Sequence, residues 1–268
     1  MIVFLSIVLL SLAGRSFCQA ANATSHLKKP LIYQIGNVVR INADGERPLL
    51  RALDALQEKY GWVVDYEDPR HPADADGAGN ADALPSRRHA GARNSRREAL
   101  SVEFTVGPAS DSFPDENTVL TTVVNAYNEG NAVMQFELRN GSDNQNGGQQ
   151  ERRFDVLGII VSDHQNETQN QRPILDAPIT VTKRPRTAEQ TLALICQQVS
   201  ERSKIPVTVG AIDGTVGGSR EVAIGGVEVL ARTLLSITLA SMGDHLSWRL
   251  LYDSASKSYE LSVNGPPQ

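Results

Sequence analysis

"RPLLRALDALQEKYGWVVDYEDP", residues 47–69, changes its hydrophobic period at a glycine. Before Gly61, Leu49, Leu53, Leu56 and Tyr60 recur at intervals of four, three and four, which places them on one stripe of a helix. Pro48 can start that helix and Gly61 can end it. After Gly61, Trp62, Val64 and Tyr66 alternate with Asp65 and Glu67, the pattern of a half-buried strand with its acidic residues on the second face. "NVVRIN" (37–42) is β-rich, so the predicted unit is strand, helix, strand.

The same order of patterns recurs along the chain, without recurrence of the letters. "SVEFTVG" (101–107) leads into "ENTVLTTVVNAYNEG" (116–130), where Val119, Val123 and Tyr127 form a helical stripe that stops at Gly130. The strands "AVMQFELR" (132–139) and "RFDVLGIIV" (153–161) follow. "APITVT" (177–182) precedes the helix "TAEQTLALICQQVSERS" (187–203), whose Thr187 and Gln190 have capping-box spacing, and then the strand "IPVTVGAI" (205–212). Last come "REVAIGGV" (220–227), the helix "EVLARTLLSITLASMG" (228–243) with Leu230, Leu234 and Ile237 on its stripe, and the hairpin "LSWRLLYDSASKSYELSV" (246–263).

The expected fold class is therefore α+β, as two tandem βαβ-βαββ domains at 37–161 and 178–264, with a linker at 162–177 and a tail at 265–268. The first domain carries insertions at 68–98 and 140–151, rich in small and polar residues and read as mobile loops. Residues 1–20 read as a secretory signal: an apolar run from Ile2 to Ala13 is too short to span a bilayer, and small residues follow it. Cleavage near Ala20 leaves a segment at 21–36 and a mature chain of 268 − 20 = 248 residues with a formal charge of 25 − 31 = −6. That acidity argues against general nucleic-acid binding, and any membrane contact is expected to be peripheral.

The segments "VVRINADGERPLLRALDALQEKYGWVVDYEDP" and "VAIGGVEVLARTLLSITLASMGDHLSWRLLYDSASKSYELSV" resemble the two halves of the secretin and TonB short N-terminal (STN-like) domain family. The resemblance rests on the leucine-rich helix closed by a glycine, on Gly243 after the last helix and on the closing hairpin. It implies two helices held between a two-stranded and a three-stranded sheet, and a periplasmic docking role. The two long insertions depart from the family pattern, and nothing in the chain resembles a secretin pore or a TonB-dependent barrel.

Residues able to do chemistry are sparse. His26, His71, His89, His164 and His245 are scattered, and the chain has no nucleophile elbow, HExxH, phosphate loop or CxxC pair, so neither catalysis nor a cofactor is expected. "GTVGGSRE" (214–221) is Gly-rich but opens no helix and reads as a loop. Asp74, Asp76 and Asp82 occupy the first, third and ninth positions of a calcium-loop spacing, yet Ala78 and Pro85 stand where ligands belong, so a solvated loop is the competing reading. Arg87, Arg88, Arg93, Arg96 and Arg97 form a basic loop that suits an acidic partner surface, an anionic lipid headgroup or a protease, or serves as a soluble spacer. With Cys18 removed in the signal, Cys196 stands alone on an apolar helical stripe and reads as a buried, inert thiol.

The function expected is a secreted or periplasmic, non-enzymatic docking module that binds another envelope protein through exposed strand edges. The alternative is an enzyme or small-ligand-binding protein with its site between the two domains. Asn22, Asn140 and Asn166 each begin an N-x-S/T sequon, which leaves an extracellular glycoprotein as a third reading. Trp62 and Trp248 are predicted core residues.

Overall fold

The structure is a computed structural model that describes residues 31–70, 99–106, 115–131, 134–141, 153–161, 172–212, 221–243 and 245–265. It is an α+β fold with four helices and three sheets among the described residues. The proposed signal peptide, the Asp74/Asp76/Asp82 loop, the five-arginine loop and four of the five histidines lie outside the described residues.

The opening stretch folds at its period change. Helix α1 (Pro48–Tyr60) starts on proline and ends at Gly61, whose φ of 73° is the left-handed conformation that glycine adopts without steric cost. Strand β3 (Val63–Glu67) follows. Strands β1 (Leu31–Ile35), β2 (Val38–Asp44) and β4 (Ala99–Thr105) form an antiparallel sheet in the order β1-β2-β4. The segment before residue 37 thus contributes a strand. Helix α2 (Glu116–Gly130) is capped by the Asp115 side chain, which accepts from the Thr118 amide at 3.0 Å.

After α2 come β5 (Met134–Asn140) and β6 (Arg153–Ile160), then a 3-10 turn at Ile174–Asp176. That turn lies in the stretch expected to be a linker, yet Leu175 is buried in the core beside it. Next are β7 (Pro178–Arg186), helix α3 (Ala188–Ser203), β8 (Val207–Ile212) and β9 (Val222–Leu230). The Thr187 and Gln190 capping box closes as its spacing predicts. Helix α4 (Ala231–Met242) and the hairpin β10 (Ser247–Asp253) and β11 (Ser258–Asn264) complete the chain. Helix α4 starts three residues later than predicted, because Glu228 to Leu230 extend β9. Its buried stripe is consequently Ala231, Leu234, Leu235, Thr238 and Leu239, while Leu230 and Ile237 are exposed.

The largest sheet has six strands in the order β5-β6-β3-β10-β11-β8, so strands from both ends of the chain meet edge to edge where β3 pairs with β10 in parallel. Strands β7 and β9 form a separate antiparallel pair. Side chains that share a register row share a face, and the rows at the β3/β10 seam separate cleanly. Val64, Tyr66, Phe154 and Val156 join α1 and α2 in one apolar core, which the β1-β2-β4 sheet closes from beyond. Trp248, Leu250 and Leu157 join α3 and α4 in a second core, closed by β7 and β9. The two helix pairs therefore cover opposite faces of the six-stranded sheet.

The seam strands lie where these layers overlap, and both of their faces are covered. Every residue of β3 is buried, and Asp65 and Glu67 are 0% and 1% exposed. This corrects the half-buried strand expected from the alternation. The face that alternation leaves to water in an isolated unit is covered by the C-terminal half of the chain.

Candidate functional site

Burying Asp65 and Glu67 obliges the fold to supply partners for them, since an unpaired buried charge is prohibitively costly. Asp65 accepts from the Arg153 guanidinium at 2.7 Å and from the Trp248 amide at 2.9 Å. Glu67 accepts from Arg232 of α4 at 2.9 Å and from the Ile174 amide of the 3-10 turn. Arg232 also reaches Asp176 at 3.0 Å, lies 3.8 Å from Asp155, and sits 5.5 Å from the centre of the Trp248 ring. Asp176 holds Arg139 of β5 as well, at 2.9 Å.

On the other face of the seam the roles are exchanged. Arg249 of β10 points toward α1, donating to Asp54 and Gln57 at 2.9 Å each and to the Val64 carbonyl. Gln57 in turn donates to Ser247 at 3.0 Å. Asp68, just past β3, accepts from Arg47 and the Tyr66 hydroxyl at 2.7 Å and from the Tyr252 amide at 3.0 Å. Polar side chains thus tie the two halves together on both faces of the sheet.

The carboxylates do not balance the guanidiniums. Four acids, Asp65, Glu67, Asp155 and Asp176, are met by three cations, Arg139, Arg153 and Arg232. Asp155 lies directly across the β3–β6 pair from Asp65. Burial, and then the neighbouring Asp65 carboxylate, push the Asp155 carboxyl up to about 7 against the pull of Arg232 and Arg153. Burial also raises Glu67, with Arg232 opposing it. For Arg232, burial works toward deprotonation, but the carboxylates of Glu67, Asp155 and Asp176 outweigh it and hold the guanidinium charged.

Beside this network a cleft of about 470 Å³ opens between the end of β3, β6, the 3-10 turn and the end of α3. Pro69 of its wall passes directly over Gly158, where a Cβ would stand 2.2 Å from the Pro69 nitrogen. Glycine is therefore required for the chain to leave β3 at this place.

Asp74, Asp76 and Asp82, and Arg87, Arg88, Arg93, Arg96 and Arg97, fall outside the described residues. Among the described residues no cluster of three or more His, Cys, Asp or Glu could hold a metal ion, and no helix is long and apolar enough to cross a membrane. His245 stands in the turn after α4. Cys196 is buried, and burial pushes its thiol up to about 12, which makes it a poor nucleophile. Trp62 and Trp248 are both core residues.

Sequence reading missed the seam itself: Arg232, Asp155, Asp176 and Arg249. A usable signal was present. Each is an isolated charge within a run of apolar residues, as in "LARTLL", "RFDVLG" and "SWRLLY". An ion in such a run requires a partner from another element. Comparison with protein-family models, curated proteins and solved structures finds no match for this chain.

Proposed function

We propose that the chain is an exported, non-enzymatic docking module that accepts an extended strand of an envelope protein on the outer edge of β4. On this reading, residues 37–161 and 178–264 are two tandem βαβ-βαββ copies of the type seen in the secretin and TonB short N-terminal domain family. The strand orders support two copies: β5-β6-β3 and β10-β11-β8 place corresponding strands alike, as do the pairs β2-β4 and β7-β9.

The observation that carries the docking site is the contrast between β4 and the other edges. On β5, the Asn128 side chain bonds both the amide and the carbonyl of Phe136 at 2.8 Å, closing the middle of that edge. On β8, the Ser200 hydroxyl accepts from the Val207 amide at 2.8 Å. Strand β7 carries Pro178 and Pro185, the β7–β9 pairing slips register twice, and β1 is five residues long. These are the devices by which proteins blunt strand edges.

Strand β4 carries none of them among the described residues. The Val106 amide bonds the Asn37 carbonyl across the β2–β4 pair at 2.7 Å. Alternation then turns the N–H and C=O groups of Ala99, Ser101, Glu103 and Thr105 outward. Leu100 and Val102 point into the core, so an added strand with alternating apolar residues would extend the same buried face.

Among the described residues, each carboxylate that lines the cleft is engaged by a guanidinium, a hydroxyl or a backbone amide. The test is a photo-crosslinking residue at position 103 in the native envelope, with and without Ser101→Pro. Proline at 101 removes an outward amide and the exposed Ser101–Asn42 side-chain hydrogen bond, but no β2–β4 backbone hydrogen bond, so the fold should persist. Loss of a specific crosslink in the proline variant supports strand docking on β4; an unchanged crosslink rejects it.

A further inference from the structure

The seam cleft has a charge character that its lining residues conceal. Three of them are acidic, and each is already engaged. Glu67 is held by Arg232 and the Ile174 amide, Asp68 by Arg47, the Tyr66 hydroxyl and the Tyr252 amide, and Asp176 by Arg139 and Arg232. The rim carries Arg70, Arg172 and Arg202. Arg172 makes no ion pair among the described residues, and the Arg202 pair with Glu228 is 3.4 Å long with both side chains more than half exposed. A pair of that kind contributes little and exchanges readily for another anion.

The walls between rim and floor are apolar: Pro69, Ile160, Pro173, Ile174, Pro178 and Ile205. The Ser203 hydroxyl bonds the Val199 carbonyl at 2.7 Å, and the Lys204 amide bonds that of Ser200 at 2.9 Å. From engaged acids below, apolar walls between and the Arg172 and Arg202 guanidiniums above, we propose that the cleft binds a compact amphiphilic anion. Its carboxylate meets Arg172 and Arg202, and its apolar body lies against the proline and isoleucine wall. The cleft's volume of about 470 Å³ is in the lower part of the range of small-molecule sites, which favours a short-chain or single-ring acid. This site is separate from the β4 edge, and either one can fail without the other.

The probe is octanoate, with octan-1-ol as its neutral counterpart, titrated calorimetrically into the intact protein. Octanoate is expected to bind one to one, more tightly than octanol and more weakly as salt rises. The double variant Arg172→Glu/Arg202→Glu changes only exposed side chains and should keep the fold while weakening octanoate at least tenfold. Lysine at both positions should restore most of the binding, and Lys183→Glu on β7 should change nothing. Equal affinity for octanol, no binding of octanoate, or unchanged binding in the charge-reversed variant would each overturn the proposal.

Discussion

The two apolar cores and the strand seam between them are built from opposite materials. The cores are leucine, valine, isoleucine and aromatic side chains, with Trp248, Leu53 and Leu192 among the fully buried groups. The seam is a lattice of arginines and carboxylates in which Asp65 and Glu67 are as inaccessible as the leucines. Apolar burial is non-directional and supplies most of the stability, whereas ion pairs need particular partners at particular distances. The difference is one of direction: an apolar side chain is satisfied by any apolar neighbour, whereas each seam ion requires the particular partner that another strand or helix supplies.

The largest expected effect lies in the cores. Trp248→Ala should cost about 3–5 kcal/mol by urea unfolding, because the indole fills space that the sheet cannot collapse into. An unchanged unfolding midpoint would remove Trp248 from the core and undo the comparison at its apolar end.

Next comes the seam. Arg232→Met should destabilise by about 3 kcal/mol, since it strands Glu67 without its cation beside Asp155 and leaves Asp176 with Arg139 alone. Adding Glu67→Gln and Asp155→Asn to that variant should recover most of the loss, because the damage is uncompensated charge rather than lost volume. If the single and triple variants melt alike, the seam is held by packing.

Asp155 sharpens the comparison through pH. Its carboxyl ordinarily titrates near 3.8 and is lifted in the fold to about 7, so between those values the folded chain holds a proton that the unfolded chain has released. Its contribution to stability is therefore complete below about pH 4, declines as pH rises, and is gone above about 7. Asp155→Asn should match the parent protein near pH 4 and be the more stable of the two at pH 8. Parallel stability curves across that window would show that the fold does not lift the Asp155 carboxyl.

The smallest effect is expected where charges face water. Breaking the Arg202–Glu228 pair with Glu228→Gln should change stability by about 0.5 kcal/mol or less, measured in the same unfolding assay. A larger loss would mean that this exposed pair also holds structure, and the contrast between wet and dry ion pairs would fail.

Much of the chain's local structure was legible in its letters. The helix from Pro48 to Gly61, the Thr187–Gln190 capping box, the closing hairpin and the two core tryptophans follow from periodicity, cap chemistry and volume, which act over a few residues. The start of α4 was misread, because the bent end of β9 at Glu228 to Leu230 continues the helical pattern that follows it. The candidate site was almost entirely illegible, since Arg232 and Glu67 stand 165 positions apart and meet only through the β3–β10 pairing.

By itself, then, the sequence determined most of the segments that become helices and strands, where most of them stop, and which of their faces are apolar. Only the tertiary structure decided that β3 and β10 lie side by side, that the acidic face of β3 is dry, and that a cleft opens beside it. The physical reason is range. Hydrophobic period and capping are settled within a helical turn or a strand, whereas burial of a charge depends on what the rest of the chain lays over it.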